Sequence, residues 1–270
     1  MTSSQAHKPG TAIVTGASSG IGKVYAERLA ARGHDVVLVA RREERLREIA
    51  GDLRQRFSIN AEVLAADLSN PSGVSAVTDR ISTDASVSLL VNNAGFSTLK
   101  PLTRTGDDVV RSMIALNVTA LTLLSRAALL AFKGRGGGTL VNVGSGAGFS
   151  PYPDIPVYGA TKAYVFLFTQ SLQNEVEGTA VRVQLVLPGA VLSEGWEVAG
   201  GGDLEPLPDD VVMTTEDCVD AALSGLDQGE RITAPSLHDA PLLDDHVAFS
   251  ARLMQAMFDK TPAERYQPAI

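Results

Sequence analysis

The chain has 270 residues, of which 44% are hydrophobic, and a formal net charge of -8 at neutral pH. This length suits one α/β domain or at most two small ones, and the apolar fraction is ample for a buried core. The acidic balance argues against a nucleic-acid surface as the main function, because such surfaces are basic. It does not exclude an anionic cofactor, since a helix N-terminus and a few arginines bind phosphate locally.

Cysteine content and hydropathy indicate where the protein resides. Cys218 is the only cysteine, so no disulfide can form within the chain, which fits a reducing compartment. We interpret Cys218 as a small helix residue rather than a reactive thiol. Residues 1–10 are polar and are expected to form a flexible tail, not a secretory signal. Polar side chains such as Asn117 interrupt the most apolar stretch, 113–132, which predicts a buried helix rather than a membrane span and hence a cytoplasmic protein.

Short apolar runs alternate with helical patterns along the chain. The predicted strands are 11–15, 35–40, 61–66, 88–92, 138–143, 181–187 and 231–234, and the predicted helices are 21–32, 43–57, 71–84, 107–132, 157–176, 215–227 and 242–259. This alternation predicts a doubly wound Rossmann fold, with a predominantly parallel sheet and helices on both faces. No linker divides residues 11–270, which predicts a single catalytic domain. Residues 190–213 are rich in glycine and proline and are expected to form a loop over the site.

A glycine-rich turn, Thr15-Gly-Ala-Ser-Ser-Gly-Ile-Gly22, joins the first strand to the first helix. Glycine in this context permits a tight turn and close approach of backbone N–H groups to a phosphate. The alternative is a purely structural turn. The turn predicts a pyrophosphate site formed by Gly16, Ser18, Ser19, Gly20, Ile21 and Gly22.

The end of the second strand indicates which nucleotide is bound. NAD enzymes often carry Asp or Glu there to bind the ribose 2′-hydroxyl, whereas this chain has Ala40 followed by Arg41 and Arg42. An arginine binds a 2′-phosphate bidentately. We predict NADP(H), with Arg41 as the main contact and Arg42 as an auxiliary one. The alternative is that both arginines are solvated charges at a helix start.

Polar residues follow the third and fourth strands and face the same crevice. Asp67, next to Leu68, is a candidate adenine contact, and its alternative is an ordinary acid in a helix-start turn. Asn93, in Asn92-Asn-Ala-Gly95, is a candidate nucleotide contact together with Ala94 and Gly95. The alternative is that both Asn side chains tie neighbouring strands.

Tyr158 and Lys162 lie four residues apart and share one helix face. A phenol has a pKa near about 10, too high for an efficient base at neutral pH. The Lys162 ammonium and a nicotinamide cation favour phenolate, and a fall of ~3 units corresponds to about 4 kcal/mol. Tyr158 is therefore the candidate proton donor and acceptor, with Lys162 also a candidate for holding ribose. Ser145, after the fifth strand, is the candidate hydroxyl that stabilises charge on the carbonyl oxygen.

Asn117 and four aromatic residues complete the predicted site. A polar amide inside an apolar helix needs a partner, and we predict a bound water that links Asn117 to Lys162. The alternative is a local cap or kink. An apolar substrate pocket is predicted from Phe96, Phe149, Tyr152 and Trp196, although core packing or a lid contact is an open alternative for each. The four histidines show no metal-ligand spacing, so no metal is expected.

The combined motifs resemble those of the short-chain dehydrogenase/reductase family over about residues 11–193. Asn117, Ser145, Tyr158 and Lys162 match the family's catalytic tetrad, and the glycine turn and Asn92-Asn-Ala-Gly95 are similar to its cofactor motifs. The resemblance implies nicotinamide contacts after the sixth strand, from Pro188, Gly189, Val191 and Ser193. It also implies a seventh parallel strand, and hence a predominantly parallel seven-stranded sheet. It further implies a substrate loop, NADP preference at Ala40-Arg41-Arg42, and dimers or tetramers.

Two positions depart from the family pattern. Gly144 stands where a serine is common, and Ser193 stands where a threonine often contacts the nicotinamide carboxamide. The first departure leaves Ser145 in place, and the second keeps a hydroxyl that can serve the carboxamide contact.

The sequence thus predicts an NADP(H)-dependent oxidoreductase that interconverts a ketone or aldehyde and an alcohol. One rival is a nucleotide-sensing protein without turnover, which the intact tetrad argues against. Another is epimerase or dehydratase chemistry, for which the chain has little room. The expected partners are a small apolar carbonyl or alcohol substrate and further copies of the chain, but no nucleic acid and no membrane.

Overall fold

The fold is taken from a computed structural model that describes residues 9–192 and 211–266. The chain divides into two compact units, residues 1–236 and residues 237–270. Ser193, Trp196, most of the predicted loop 190–213 and all but the last two residues of the predicted tail lie outside the described residues. The single-domain assignment for 11–270 stays a prediction.

The first unit alternates strands with helices. Its strands are β1 Thr11–Thr15, β2 Val36–Ala40, β3 Ala61–Ala65, β4 Val87–Asn92, β5 Gly138–Val143, β6 Val181–Val186, β7 Ala190–Val191, β8 Val212–Met213 and β9 Ile232–Thr233. Its helices are α1 Gly20–Ala31, α2 Glu43–Phe57, α3 Pro71–Thr83, α4 Asp107–Ile114, α5 Leu121–Arg135, α6 Pro156–Glu175 and α7 Thr215–Gln228. Short 3₁₀ turns occur at Leu102–Arg104 and Gly146–Gly148.

Seven of these strands form one parallel sheet in the order β3-β2-β1-β4-β5-β6-β9. The strand order reverses direction between β1 and β4, which opens a crevice at the carboxyl ends of the strands. β7 and β8 pair separately, next to the ends of the predicted loop. The predicted doubly wound α/β fold is therefore confirmed.

The sheet separates two hydrophobic layers because alternate side chains of each strand point to opposite faces. Ala12 and Val14 of β1 belong to the layer built with α1, α2 and α7. Ile13, between them, belongs to the layer built with α3, α5 and α6. Burial on both sides explains why these strands are continuous apolar runs in the sequence.

The predicted helix 107–132 is interrupted, which corrects the sequence interpretation. A π-helical turn, Ala115–Ala120, separates α4 from α5 and contains Asn117. The stretch Asp107–Arg135 is long and apolar enough to cross a bilayer by length and composition. Its inner residues Leu124, Ala128 and Phe132 nevertheless lie in the core layer below the sheet, as predicted for a buried helix.

The second unit contains helix α8, Pro241–Ala256, and a 3₁₀ turn, Glu264–Tyr266. The predicted helix 242–259 therefore begins one residue earlier and ends three residues sooner. No described residue of α8 is buried.

Candidate active site

The glycine turn between β1 and α1 has the shape that a pyrophosphate requires. Gly16 and Gly20 adopt positive φ values of 68° and 52°. A Cβ on Gly16 would lie 2.7 Å from Asn93 Nδ2, and a Cβ on Gly22 would collide with the carbonyl oxygen of Gly16. The first turn of α1 carries no acidic residue, so no negative side chain would repel an anion that binds to the N–H groups of this turn.

Thr15 and Asn93 fix this turn to the end of β4. Thr15 Oγ1 donates to the Val91 carbonyl at 3.1 Å and accepts from the backbone N–H of Asn93 at 2.9 Å and of Ala94 at 3.0 Å. Asn93 Nδ2 donates to the Thr15 carbonyl at 2.9 Å. Both interpretations of Asn93 are therefore compatible with one geometry: its side chain ties two strands and lines the crevice.

Arg42 reaches back to the glycine turn. Its Nη2 donates to Ser18 Oγ at 3.0 Å and to Ser19 Oγ at 2.9 Å. Ser19 is the N-cap of α1, yet its side chain makes no capping hydrogen bond, which leaves its hydroxyl for Arg42. Arg41 is exposed, and its charge adds to the hydrogen bonds from Ser69 that lower the pKa of Asp67. Arg42, rather than Arg41, is thus the arginine that the fold brings to the turn.

Asp67 is engaged at the start of α3. Its Oδ1 accepts from the Ser69 hydroxyl at 2.7 Å and from the Ser69 N–H at 2.9 Å, and its Oδ2 accepts from Asn70 Nδ2 at 3.0 Å. The hydrogen bond from the Ser69 hydroxyl holds the pKa of Asp67 below its ordinary value. This geometry favours the helix-start role over an adenine contact. Leu68 beside it is buried.

Ser145 is held by a short turn between β5 and α6. It caps the 3₁₀ turn Gly146–Gly148, with its Oγ accepting from Ala147 N–H at 3.1 Å. Gly146 N–H donates to the Pro188 carbonyl at 2.9 Å, which joins this turn to the segment after β6. Gly148 packs directly on the backbone of α6. These contacts fix Ser145 against the helix that carries Tyr158.

Tyr158 and Lys162 lie in the first two turns of α6, as predicted. Burial raises the pKa of Tyr158, and a hydrogen bond with Ser145 opposes that rise. Lys162 Nζ donates to the Val143 carbonyl at 2.9 Å and lies 5.7 Å from the centroid of the Tyr158 ring. Burial lowers the pKa of Lys162 to about 8, so it remains mostly ammonium at neutral pH. Without a nicotinamide cation, Tyr158 is therefore a protonated phenol.

Asn117 is buried and its amide is bonded on both sides. Its Oδ1 accepts from Phe96 N–H at 3.1 Å, and its Nδ2 donates to the Phe96 carbonyl at 2.9 Å and to Thr161 Oγ1 at 3.2 Å. Thr161 Oγ1 in turn donates to the Tyr158 carbonyl at 2.7 Å. The side chain therefore links the loop after β4 to α6. Asn117 lies in a π-helical turn, which agrees with the alternative that it marks a local kink in the helix. The water relay from Asn117 to Lys162 stays a prediction.

Two of the predicted pocket aromatics flank the tetrad. Phe96 follows Gly95 in the loop that Asn117 holds, and Phe149 follows the Ser145 turn and packs edge-on against Phe166, with ring centroids 4.9 Å apart. Tyr152 is 65% exposed. Beyond β6, Pro188 and Val191 are buried and Gly189 is exposed. The roles of all these residues toward a ligand stay predictions.

Sequence reasoning missed two threonines that organise the site. Thr15 bridges two backbone N–H groups after β4, and Thr161 connects Asn117 to the Tyr158 carbonyl. Thr161 lies three residues after Tyr158, so helical spacing alone places it on a neighbouring face. Nothing in the sequence indicates the partner of Thr15, because that partner lies more than seventy residues away.

Comparison with known proteins identifies the family. A family model described as short chain dehydrogenase matches residues 10–200. The chain belongs to this family of oxidoreductases, which confirms the predicted family and enzyme class.

Two solved structures that resemble the chain match nearly all of it. A short-chain dehydrogenase from Sphingobium yanoikuyae in complex with NADPH is 41% identical, with a TM-score of 0.91 over 95% of this chain and 100% of that one. The bulky-bulky ketone specific alcohol dehydrogenase from Comamonas testosteroni is 37% identical, with a TM-score of 0.88 over 97% of this chain and 100% of that one. The predicted cofactor, NADP(H), is confirmed by the comparison, since the similar structure from Sphingobium yanoikuyae contains NADPH.

A curated relative extends beyond the matched region. The very-long-chain 3-oxoacyl-CoA reductase of Rattus norvegicus is 35% identical over 66% of this chain, and the match spans 58% of its own length. The activity and substrate of this chain therefore have to be argued from its own residues.

Proposed function

We propose that the protein is an NADP(H)-dependent oxidoreductase that interconverts a ketone or aldehyde and the corresponding alcohol. The observation that carries the proposal is the convergence of Ser145, Tyr158 and Lys162 after the carboxyl end of β5, where Ser145 hydrogen-bonds Tyr158 and Lys162 donates to the Val143 carbonyl. Proton transfer, stabilisation of the oxyanion and cofactor binding then take place in one crevice.

The residues present fit a dinucleotide phosphate. Gly16 and Gly22 allow the tight turn, because a Cβ at either would collide with neighbouring atoms of the turn or of Asn93, and the first turn of α1 is free of acidic residues. Arg42 is held over Ser18 and Ser19, where it can bind a ribose 2′-phosphate bidentately. The predicted order of the two arginines is therefore reversed in our proposal, with Arg42 as the main contact. When bound, the nicotinamide supplies the hydride for reduction or accepts it in oxidation.

Tyr158 transfers the proton. In reduction its hydroxyl donates to the carbonyl oxygen as negative charge develops there, and in oxidation its phenolate accepts the alcohol proton. The raised pKa of Tyr158 keeps it protonated at neutral pH, which suits reduction. The Lys162 ammonium stabilises the phenolate left behind, since opposite charges favour each other's ionised forms.

Ser145 and Asn117 support this step in different ways. Ser145 donates a hydrogen bond to the substrate oxygen and positions this oxygen at Tyr158. A fixed hydroxyl stabilises the developing negative charge better than water does, because it need not reorient during the reaction. Asn117 holds the loop that carries Phe96 and, through Thr161, the first turn of α6. We retain the water relay from Asn117 to Lys162 as part of the proposal.

We propose an apolar or aromatic carbonyl substrate rather than a highly charged one. Phe96 and Phe149 flank the tetrad, and Phe149 is 38% exposed although it is aromatic. The Comamonas testosteroni enzyme is specific for bulky-bulky ketones, which supports a ketone with large substituents as the substrate of this chain. Tyr152 and Trp196 complete the proposed pocket.

We propose a homodimer or homotetramer in the cytoplasm. Three leucines of α5 and α6 face outward: Leu123, Leu130 and Leu167 are exposed by 43%, 59% and 63%. A cleft beside Leu123 and Leu130, between α3 and α5, offers a second copy further apolar surface. Sedimentation of Leu130→Glu against the wild type tests this interface, and an unchanged oligomeric state would exclude it.

A carbonyl panel tests the proposed activity. NADPH oxidation is followed at ~340 nm with ketones and aldehydes that range from apolar aromatic to polyanionic, and we expect turnover of the apolar members. Binding of NADPH without oxidation of any panel member would instead indicate a nucleotide-sensing protein. Turnover of polyanionic carbonyls alone would exclude the substrate class.

A further inference from the structure

A cluster of buried polar side chains lies beneath the active site, which we name the amide network. Its members are Asn92, Ser125, Asn142 and Thr169, and each is at most 3% exposed. Asn92 Nδ2 donates to Ser125 Oγ and to Asn142 Oδ1, both at 3.0 Å. Asn142 Nδ2 donates to Thr169 Oγ1 at 3.0 Å, and Ser125 Oγ donates to Asn142 Oδ1 at 3.4 Å.

The amide network joins four elements that surround the catalytic groups. Asn92 and Asn142 are paired across β4 and β5, Ser125 lies on α5, and Thr169 lies on α6. Thr169 stands seven residues, two helical turns, after Lys162, so both point to the sheet. Asn142 directly precedes Val143, whose carbonyl accepts from Lys162. Two hydrogen bonds thus attach the same face of α6 to consecutive residues of β5.

Burying four polar side chains where apolar ones would pack needs a reason. A buried hydrogen bond adds little net stability, but it fixes a donor and acceptor within a few tenths of an ångström and in one direction. Apolar contacts alone permit helices to shift by amounts that matter for catalysis, where a displacement of about 1 Å costs ~10²-fold in rate.

We propose that Asn142 is a positioning residue that, through Thr169 and Ser125, fixes α6 and α5 against β5. Thr169 thereby sets where α6, with Tyr158 and Lys162, lies relative to β5 and Ser145. Ser125 holds α5 below the π-helical turn that contains Asn117. This inference rests on the proposed function of Tyr158 and Lys162.

The test compares two isosteric threonine changes. Thr169→Val removes the hydroxyl that accepts from Asn142. Thr233→Val, the matched control, removes a buried hydroxyl that accepts from Gln184 Nε2 at 2.9 Å on β9, at the far edge of the sheet. Each change leaves a buried amide one hydrogen bond short, so both should lower Tm, by about 2–6 °C.

Only Thr169→Val should alter catalysis. We expect kcat to fall at least about tenfold, with the KM for NADPH unchanged within about twofold. In the oxidation direction the pH midpoint of kcat should move upward, because a shift of α6 weakens the hydrogen bond from Ser145 that opposes the raised pKa of Tyr158. Thr169→Ser, which keeps the hydroxyl, should restore the midpoint.

Equal kcat and equal pH midpoints in Thr169→Val and Thr233→Val would overturn the proposal and leave the amide network a fold element only. Ser125→Ala, a smaller change, is the second variant should Thr169→Val not fold: unchanged kcat in Ser125→Ala would also overturn it. If the wild type turns over no carbonyl compound, the proposed function is wrong. This result differs from equal kinetics in the two variants, so failure of the proposed function and failure of the positioning role can be distinguished.

Discussion

Gly148 and Lys162 approach each other backbone to backbone: a Cβ on Gly148 would lie 2.8 Å from the carbonyl carbon of Lys162 and 3.0 Å from its oxygen. Helix α6 cannot move aside there without moving Tyr158 as well. The contact fixes the turn that carries Ser145 at its distance from the phenol. The glycine is therefore part of the site although it carries no functional group.

Gly148→Ala should push the Ser145 turn away from α6. We expect kcat to fall by about 10–100-fold, because a shift of about 1 Å in a positioned group costs ~10²-fold. NADPH affinity should change less than kcat, since the contacts of Gly16 and Gly22 in the turn before α1 do not involve Gly148. Steady-state kinetics and NADPH titration measure both quantities.

Gly51→Ala is the matched control for this change. Gly51 is exposed on α2, and a Cβ there meets nothing within 4 Å. It should leave kcat unchanged and raise helix stability by up to about 1 kcal/mol. Wild-type kcat in Gly148→Ala would show that the turn tolerates displacement.

Arg42→Ala should weaken NADPH binding more than Arg41→Ala. The Arg42 guanidinium lies on the two serines of the turn, and loss of a hydrogen bond to a charged phosphate costs about 1.5–3 kcal/mol, or ~10–100-fold in Kd. Arg41→Ala should raise the Kd less than about fivefold, and NADH binding should respond to neither change. Fluorescence titration of the reduced cofactors provides the measurement, and a larger effect of Arg41→Ala would restore the order predicted from the sequence.

Lys162 should make the stability of the protein depend on pH. Burial lowers its pKa from 10.5 to about 8, so the unfolded chain binds more protons than the folded one between these values. Stability therefore rises with pH across that window, by about 3 kcal/mol in total, and the cost of burying the ammonium is fully present below about pH 8.

Denaturant unfolding of wild type and Lys162→Met isolates this effect. Other titrating groups, such as Tyr25 and Cys218, are common to both proteins and cancel in the difference. The difference in the free energy of unfolding should move in favour of the wild type from about pH 8 to about pH 10.5. A difference that does not vary with pH would mean that Lys162 titrates normally.

The features that follow from local sequence were predictable. The strands are apolar runs, the turn before α1 is marked by Gly16, Gly20 and Gly22, and Tyr158 and Lys162 are spaced for one helix face. Each of these depends on residues a few positions apart, where periodicity and backbone freedom decide the structure.

The features that depend on distant partners were not predictable. The sequence favours Arg41 over Arg42 as the phosphate contact, because it does not reveal the hydrogen bond from Arg42 to Ser18. That bond spans 24 residues and depends on the direction in which α2 leaves β2. The π-helical turn at Asn117 follows from the bonds of its amide to Phe96 and Thr161, which only the assembled sheet brings together. The partners of Asn142 lie on two helices, so its role was invisible in the strand pattern.

Tyr158→Phe tests the central claim most directly. The variant lacks only the phenolic oxygen, so it should bind NADPH with wild-type Kd while its kcat for carbonyl reduction falls by about 10²–10⁴-fold, the usual contribution of a positioned proton donor. Single-turnover NADPH oxidation with an apolar ketone, measured beside the cofactor Kd, separates the two quantities. Wild-type turnover by Tyr158→Phe would contradict the account, because the proton would then come from another group.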